Sequence, residues 1–396
     1  MASAQVAIFP VERNGETVRL GLIAGLALVA YALLWPAATG DMRHFLVPWL
    51  DTILERGRVG AFAAPFSNYT PPYLYLLALV SPLASVVPKI GVIKALSVAG
   101  TVGLAFAVRR LLSVAGSDRS TEAAVWLLLV PSIAINGAGW GQCDAFWSAA
   151  CVMAVAAAIE RRALAMMLWF GLAIAFKAQA LFLAPFIAQR LIVNRAPLWL
   201  WPVPALVYAA AMLPAAVAGW PVADLFTIYL HQAAWGPDFI GNAANPWSVV
   251  AFFAPRAGMA WTWVGYVAAL VAAGAYLVTW RRSDAEPRST IALALLSALL
   301  IPFFLPKMHE RFFFLADVLA FVLLFARSDR RSLVLFVLVE GSSIAAIAGL
   351  MLNIALAPVI GCAMTGAAIL LLAFDGAAPA AAVDDRGRRL AYCRTA

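Results

Sequence analysis

Hydrophobic positions in this chain run in continuous blocks and do not alternate with polar ones. Charged residues or Pro/Gly breaks separate the blocks. Each block is about 17–22 residues, the length that crosses a bilayer core as helix. Lipid offers no hydrogen-bond partner to backbone groups, so such blocks must be helical, and the missing period-2 alternation argues against a β-barrel. Spans are expected near 18–38, 92–112, 121–138, 144–159, 197–217, 259–280, 289–305, 312–327, 331–350 and 354–374. Residues 39–70 read as a polar loop, and 218–246 as a long loop. Two segments are ambiguous. The run 73–87, opened by Thr70-Pro71-Pro72, is short for a span. Segment 163–193 is long for one span and short for two, and Phe176-Lys177-Ala178-Gln179 interrupts it.

Composition agrees with the pattern. Hydrophobic residues make up 64% of the 396 and charged residues 12%, about half the charged fraction of a soluble domain. The net charge of +8 does not call for nucleic acid, because arginines flanking spans on the cytoplasmic side supply it. Suppose 73–87 lies along the outer surface and 163–193 is a pair of short helices broken at Lys177. Then only Arg43, Arg56, Arg58, Lys89, Lys94, Lys177, Arg256, Lys307 and Arg311 face outward, and the other 19 of the 28 basic residues face the cytoplasm. The positive-inside rule selects this arrangement. It gives an all-α helical bundle of about twelve spans with outer-face juxtamembrane helices and both termini inside. A leader occupies 1–17, the membrane domain 18–375, and an Ala/Pro- then Arg-rich tail 376–396, expected to be disordered. Residues 20–38 have the look of a signal peptide, but the long leader and the many later spans favour an uncleaved first span. Cys143, Cys151, Cys362 and Cys393 form no CxxC pair, so neither a disulfide framework nor a structural zinc site is expected.

With sidedness set by the arginines, the unusual polar residues gather on the outer face. The first outer loop carries Asp41 and His44; the next turn is Trp140-Gly141-Gln142-Cys143-Asp144. Lys177 and Gln179 mark the break, His231, Trp235 and Asp238 lie in the long loop, and Lys307-Met308-His309-Glu310-Arg311 joins two spans. Ionisable residues at membrane depth cost about 2.5–3.5 kcal/mol on insertion scales, so they face partners or polar cavities. Each has a plainer reading too. Asp41 suits a solvated loop carboxylate, Asp144 an N-cap, and Lys177 a snorkelling lysine. His309-Glu310-Arg311-Phe312-Phe313 lacks the second histidine of HExxH, and neither a P-loop nor a GxGxxG turn is present.

Together, Asp41, Tyr69-Thr70-Pro71-Pro72, Trp140-Gly141-Gln142-x-Asp144 and Met308-His309-Glu310-Arg311-Phe312 resemble bacterial GT-C glycosyltransferases, nearest the mannosyltransferase-like proteins related to GPI-anchor mannosyltransferases. The likeness covers about residues 18 to 375. It implies a GT-C bundle that takes a sugar, a hexose such as mannose, from a polyprenyl-phosphate donor with inversion. It maps the catalytic base onto Asp41. The acceptor, a lipid or glycan on the outer face of the plasma membrane, stays open, because this chain lacks the large soluble C-terminal domain of some relatives. The residues suit that chemistry: Asp41 can take the acceptor proton, and Lys307, His309 and Arg311 can meet the leaving phosphate. Gln142, Asp144, Lys177, Gln179 and Glu310 complete the expected substrate-binding set. No cofactor is required, and no divalent metal is indicated. An O-antigen-type ligase or polymerase is one rival. The other is a transporter or lipid flippase, which should carry polar residues through the full membrane depth.

Overall fold

The computed structural model describes residues 13–234, 242–254, 261–280 and 286–377. Most of the expected leader and tail, Cys393, Trp235, Asp238, Arg256, Arg281 and Arg282 lie outside the described residues. Every regular element among those described is helical. They begin with α1 (Arg13–Leu34), a π-helical turn (Met42–Leu46), α2 (Val47–Arg56), α3 (Pro71–Val80), α4 (Lys89–Val114), α5 (Ser120–Leu127), α6 (Pro131–Ala134) and α7 (Asp144–Ile159). There follow α8 (Ala163–Phe176), α9 (Ala184–Val193), α10 (Val203–Ala218), α11 (Val222–Ala234) and α12 (Pro246–Phe253). The bundle closes with α13 (Thr262–Thr279), α14 (Pro287–Phe304), α15 (Phe314–Arg327), α16 (Arg330–Met351) and α17 (Ala357–Ala377).

Seven described helices are long and apolar enough to cross a membrane alone, or eight if the bent pair α5–α6 counts as one span. The expected twelve is not reached on length, because α7, α8 and the 178–193 segment are shorter apolar helices. Segment 163–193 is indeed broken at Lys177, where the backbone turns extended between α8 and a 3-10 turn, Ala178–Leu183. Helix α3 has ten residues, about 15 Å of rise and too little to cross 30 Å of hydrocarbon.

Three expectations need correction. The block 121–138 is not one straight helix: it bends by 55° between α5 and a second helical stretch that ends at Gly139. Pro131 cannot donate a backbone hydrogen bond and forces Val130 into an extended conformation, which breaks the helix there. Residues 39–70 are not a bare polar loop. Leu46, Trp49, Leu50 and Ile53 recur at helical spacing and bury one face of the π turn and α2 against α3, the start of α4, and Tyr208, Met212 and Trp220. The 218–246 loop likewise contains α11, whose Leu225 joins the same cluster.

A second, larger core fills the bundle, built mainly from α4, α7, α8, α14, α15 and α16. At one end of the bundle, cations and carboxylates pair at the surface: Glu122 takes Arg119 and Arg19, each at 2.9 Å, and Arg110 meets Glu160. The outer-loop platform packs over the opposite end. There the end of α1, the start of α7, the end of α8 and the α14–α15 turn come together.

Candidate active site

Several buried hydrogen bonds hold those four chain ends. Helix termini leave carbonyls without intrahelical partners, and side chains from elsewhere satisfy them. Lys94, fully buried in α4, donates to the carbonyls of Leu34 (3.1 Å) and Trp35 (2.7 Å), which anchors the end of α1 just before Asp41. Thr70 donates to the Phe176 carbonyl at 2.9 Å and Tyr229 to that of Ile174 at 2.5 Å, fixing the end of α8 before Lys177. Ser97 of α4 donates to the Gln142 carbonyl. In that turn Gly141 has φ +62°, and a Cβ there would sit 3.1 Å from Met42 Cε and 3.3 Å from Ile93 Cγ2. A left-handed turn pressed against side chains is a place for glycine.

Asp144 is the hub. It is 1% exposed. Its Oδ1 accepts from Lys177 Nζ at 2.6 Å and Trp147 Nε1 at 2.9 Å; its Oδ2 accepts from Asn136 Nδ2 at 2.8 Å and lies 3.9 Å from Arg311 Nε. Arg311 reaches outward as well: its Nη1 is 2.9 Å from Asp41 Oδ2 and 3.1 Å from Glu310 Oε1. Gln142 donates to Asp41 Oδ2 at 3.3 Å and accepts from Tyr69 Oη at 3.3 Å, while the Lys177 ammonium lies 5.1 Å from the Tyr69 ring centre. Asp41 thus forms the open edge, 39% exposed at its side chain, over a buried floor of Asp144 and Lys177.

The structure therefore gathers Asp41, Gln142, Asp144, Lys177, Glu310 and Arg311 into one network. His309 sits at its rim, half-exposed, with Nδ1 4.0 Å from Glu310 Oε2. Partial burial and the neighbouring Arg311 charge hold its pKa below the usual imidazole value, against the opposing pull of Glu310. Lys307, at φ +58°, points elsewhere and donates to the Ala233 carbonyl at 3.2 Å. Gln179 lies in the 3-10 turn, outside the network, with its Oε1 buried and without a partner among the described residues. His44 and His231 are exposed. Sequence reasoning passed over Asn136 and Tyr69 as site residues. Asn136 was visible as the one amide inside an apolar block, and Tyr69 as the residue before Thr70-Pro71-Pro72.

The charges nearly cancel. Asp41, Asp144 and Glu310 face Lys177 and Arg311, so the network has one negative charge to spare with His309 neutral. Both cations are already engaged by carboxylates. Among the described residues there is no group of three or more His, Cys, Asp or Glu placed to hold a metal ion.

Residues 51–193 match the family model of the alpha-(1->6)-mannopyranosyltransferase N-terminal domain, MptA_B. Among solved structures, ArnT from Cupriavidus metallidurans, crystallised with undecaprenyl phosphate, shares the fold at TM-score 0.51 and 14% identity. The alignment covers 91% of this chain and 78% of that one. No curated protein matches the chain. The bundle is thus of GT-C type, and the chain is a mannosyltransferase-like membrane glycosyltransferase.

Proposed function

We propose that this glycosyltransferase moves a hexose, mannose by class, from a polyprenyl-phosphate donor to a hydroxyl of a lipid or glycan acceptor at the outer face of the plasma membrane, with inversion. The observation that carries the reading is Arg311. Its guanidinium spans Asp41 at 2.9 Å and Asp144 at 3.9 Å, and its buried Nε has no hydrogen-bond partner among the described residues. A fork that ties up the exposed carboxylate while keeping a donor in reserve suits an exchange of anions. The donor phosphate takes Arg311, and Asp41 is released to act as base. The acceptor oxygen then bonds to the anomeric carbon as its proton passes to Asp41. The bond from that carbon to the phosphate oxygen breaks, and the charge growing on the phosphate meets Arg311. Asp144 and Lys177 act as the fixed base of the site, holding Arg311 in place. No step is routed through a metal or a cofactor.

Support for the lipid-linked donor comes from the matched mannosyltransferase segment and from the neighbour crystallised with undecaprenyl phosphate. The outward orientation rests on the distribution of basic residues and on an α3 too short to cross. The direct test reconstitutes purified protein in proteoliposomes and supplies mannose either as a polyprenyl-phosphate sugar or as a nucleotide sugar. Transfer only from the lipid-linked donor is expected. Equal use of the nucleotide sugar would remove the proposed donor class.

A further inference from the structure

A second polar group lies deeper in the bundle than the site and plays no part in the mechanism. Asp317 is in the first turn of α15, and Glu340 is in the middle of α16, ten residues from Arg330. At 1.5 Å per residue that is about 15 Å into the helix. They are 1% and 7% exposed. Their hydrogen-bond partners are hydroxyl and backbone donors: Ser343 Oγ donates to Asp317 Oδ1 at 2.8 Å, while Ser132 gives Glu340 both its N–H and its Oγ, each at 2.8 Å. Neither carboxyl has a cation within ion-pair distance among the described residues. Carboxylates at this depth are costly without a neutralising partner.

Between this pair and the site is a cavity of about 10 Å³, lined by Ser132, Asn136, Asp317 and Ser343, with Glu310 and Arg311 at its outer end. That is room for one water-sized occupant. Asn136 adds an independent sign that something belongs there. It is 2% exposed, and its Nδ2 is committed to Asp144, which can only accept. Its Oδ1, on the cavity wall, is left with no hydrogen-bond donor among the described residues. The wall thus offers oxygens from an amide, two hydroxyls and a carboxyl, with the Glu340 charge behind Ser132.

We propose that this cage is an internal binding site for a single small monovalent cation of the Na+ class. The oxygen-only set selects a hard ion. Mg2+ keeps several waters that the cavity cannot hold, and Ca2+ takes six to eight oxygens, more than the wall provides. Charge balance points the same way. Along the continuous polar run Asp41, Asp144, Glu310, Asp317 and Glu340 face only Lys177 and Arg311, before any donor phosphate arrives. The run does not continue through the membrane, because Leu319, Val322, Leu335 and Val339 are buried in the apolar core. The ion is therefore a resident and not cargo.

The test requires no sugar substrate, so its outcome is independent of the transferase reading. Retention of 22Na+ by purified protein in nanodiscs is measured with K+ or choline as competitor, and thermal unfolding is followed at constant ionic strength. Saturable retention, displaced weakly by K+, and a Tm that rises as Na+ replaces choline are expected. Glu340→Gln and Ser343→Ala keep the packing volume close and should each weaken retention, Glu340→Gln by about tenfold to a hundredfold. No retention in wild type, with one Tm in all three salts, would overturn the proposal and leave a protonated carboxyl pair with a water. Stabilisation by Ca2+ or Mg2+ alone would overturn the assignment to a monovalent ion.

Discussion

Replacing Asp144 by Asn should damage folding before it damages chemistry. The four groups around the carboxylate are Lys177 Nζ, Trp147 Nε1, Asn136 Nδ2 and Arg311 Nε, and all of them are donors. An amide keeps one acceptor oxygen but turns its NH2 toward donors, so at least one buried group loses its partner. The largest loss falls on Lys177, whose side chain is 5% exposed and whose carboxylate partner is Asp144 at 2.6 Å. Removing one member of a buried ion pair costs roughly 3–5 kcal/mol, a large part of the 5–15 kcal/mol that holds a typical domain. Asp144→Asn should therefore lower the unfolding midpoint in detergent markedly. The double variant Asp144→Asn/Lys177→Met, which removes the orphaned charge, should recover much of the loss. The double-mutant cycle among these variants then reports the coupling between the pair. An unchanged midpoint in Asp144→Asn, or additive losses in the double variant, would refute the reasoning.

Other outcomes follow from the same geometry. Arg311→Ala should reduce transfer about ten- to a hundredfold, the loss of one charge-assisted hydrogen bond of roughly 1.5–3 kcal/mol. Arg311→Lys should fall between, because one ammonium cannot span Asp41 and Glu310 as the fork does; full turnover by Arg311→Ala would take it out of the phosphate site. His309 has a folded pKa below its reference of 6.5. Its stabilising share is therefore present above that value and is lost as pH falls through the folded pKa. Unfolding midpoints measured from neutral to mildly acid pH should drop less in His309→Gln than in wild type, and identical profiles would show that the imidazole is not held neutral.

Much of this architecture was legible from the chain, for physical reasons. Apolar blocks of membrane length have only one backbone solution in lipid, so the helical class followed from pattern alone. The break at Lys177 was visible because a lysine interrupts an apolar run. The bend before Pro131 was legible in principle, since proline restricts its predecessor, but hydropathy alone hid it. The helices of the first outer segment were hidden for the opposite reason: their apolar face is narrow, and charges such as Asp51, Glu55 and Arg56 dominate its average. At the site, the residue types pointed to Asp41, Asp144 and Arg311, but the partners did not. Lys307 and Arg311 look equivalent in sequence, yet the positive φ of Lys307 turns it toward Ala233 and leaves Arg311 alone to bridge the carboxylates. Asp317 and Glu340 each sit singly in apolar helices, and only packing of α15 against α16 brings their depths together.

The central claim is that Asp41 removes the acceptor proton in transfer from a lipid-linked sugar. Its most direct test is transfer of radiolabelled mannose from polyprenyl-phosphate mannose by purified wild type and Asp41→Asn, with donor binding measured separately. Asn keeps the volume and one acceptor for Arg311 and Gln142, but takes no proton at neutral pH. General-base catalysis is worth about 10²–10⁴-fold. Transfer reduced by that order, with donor affinity and expression near wild type, is the predicted result. Asp41→Asn retaining most of the wild-type rate would contradict the account and move the base elsewhere in the network.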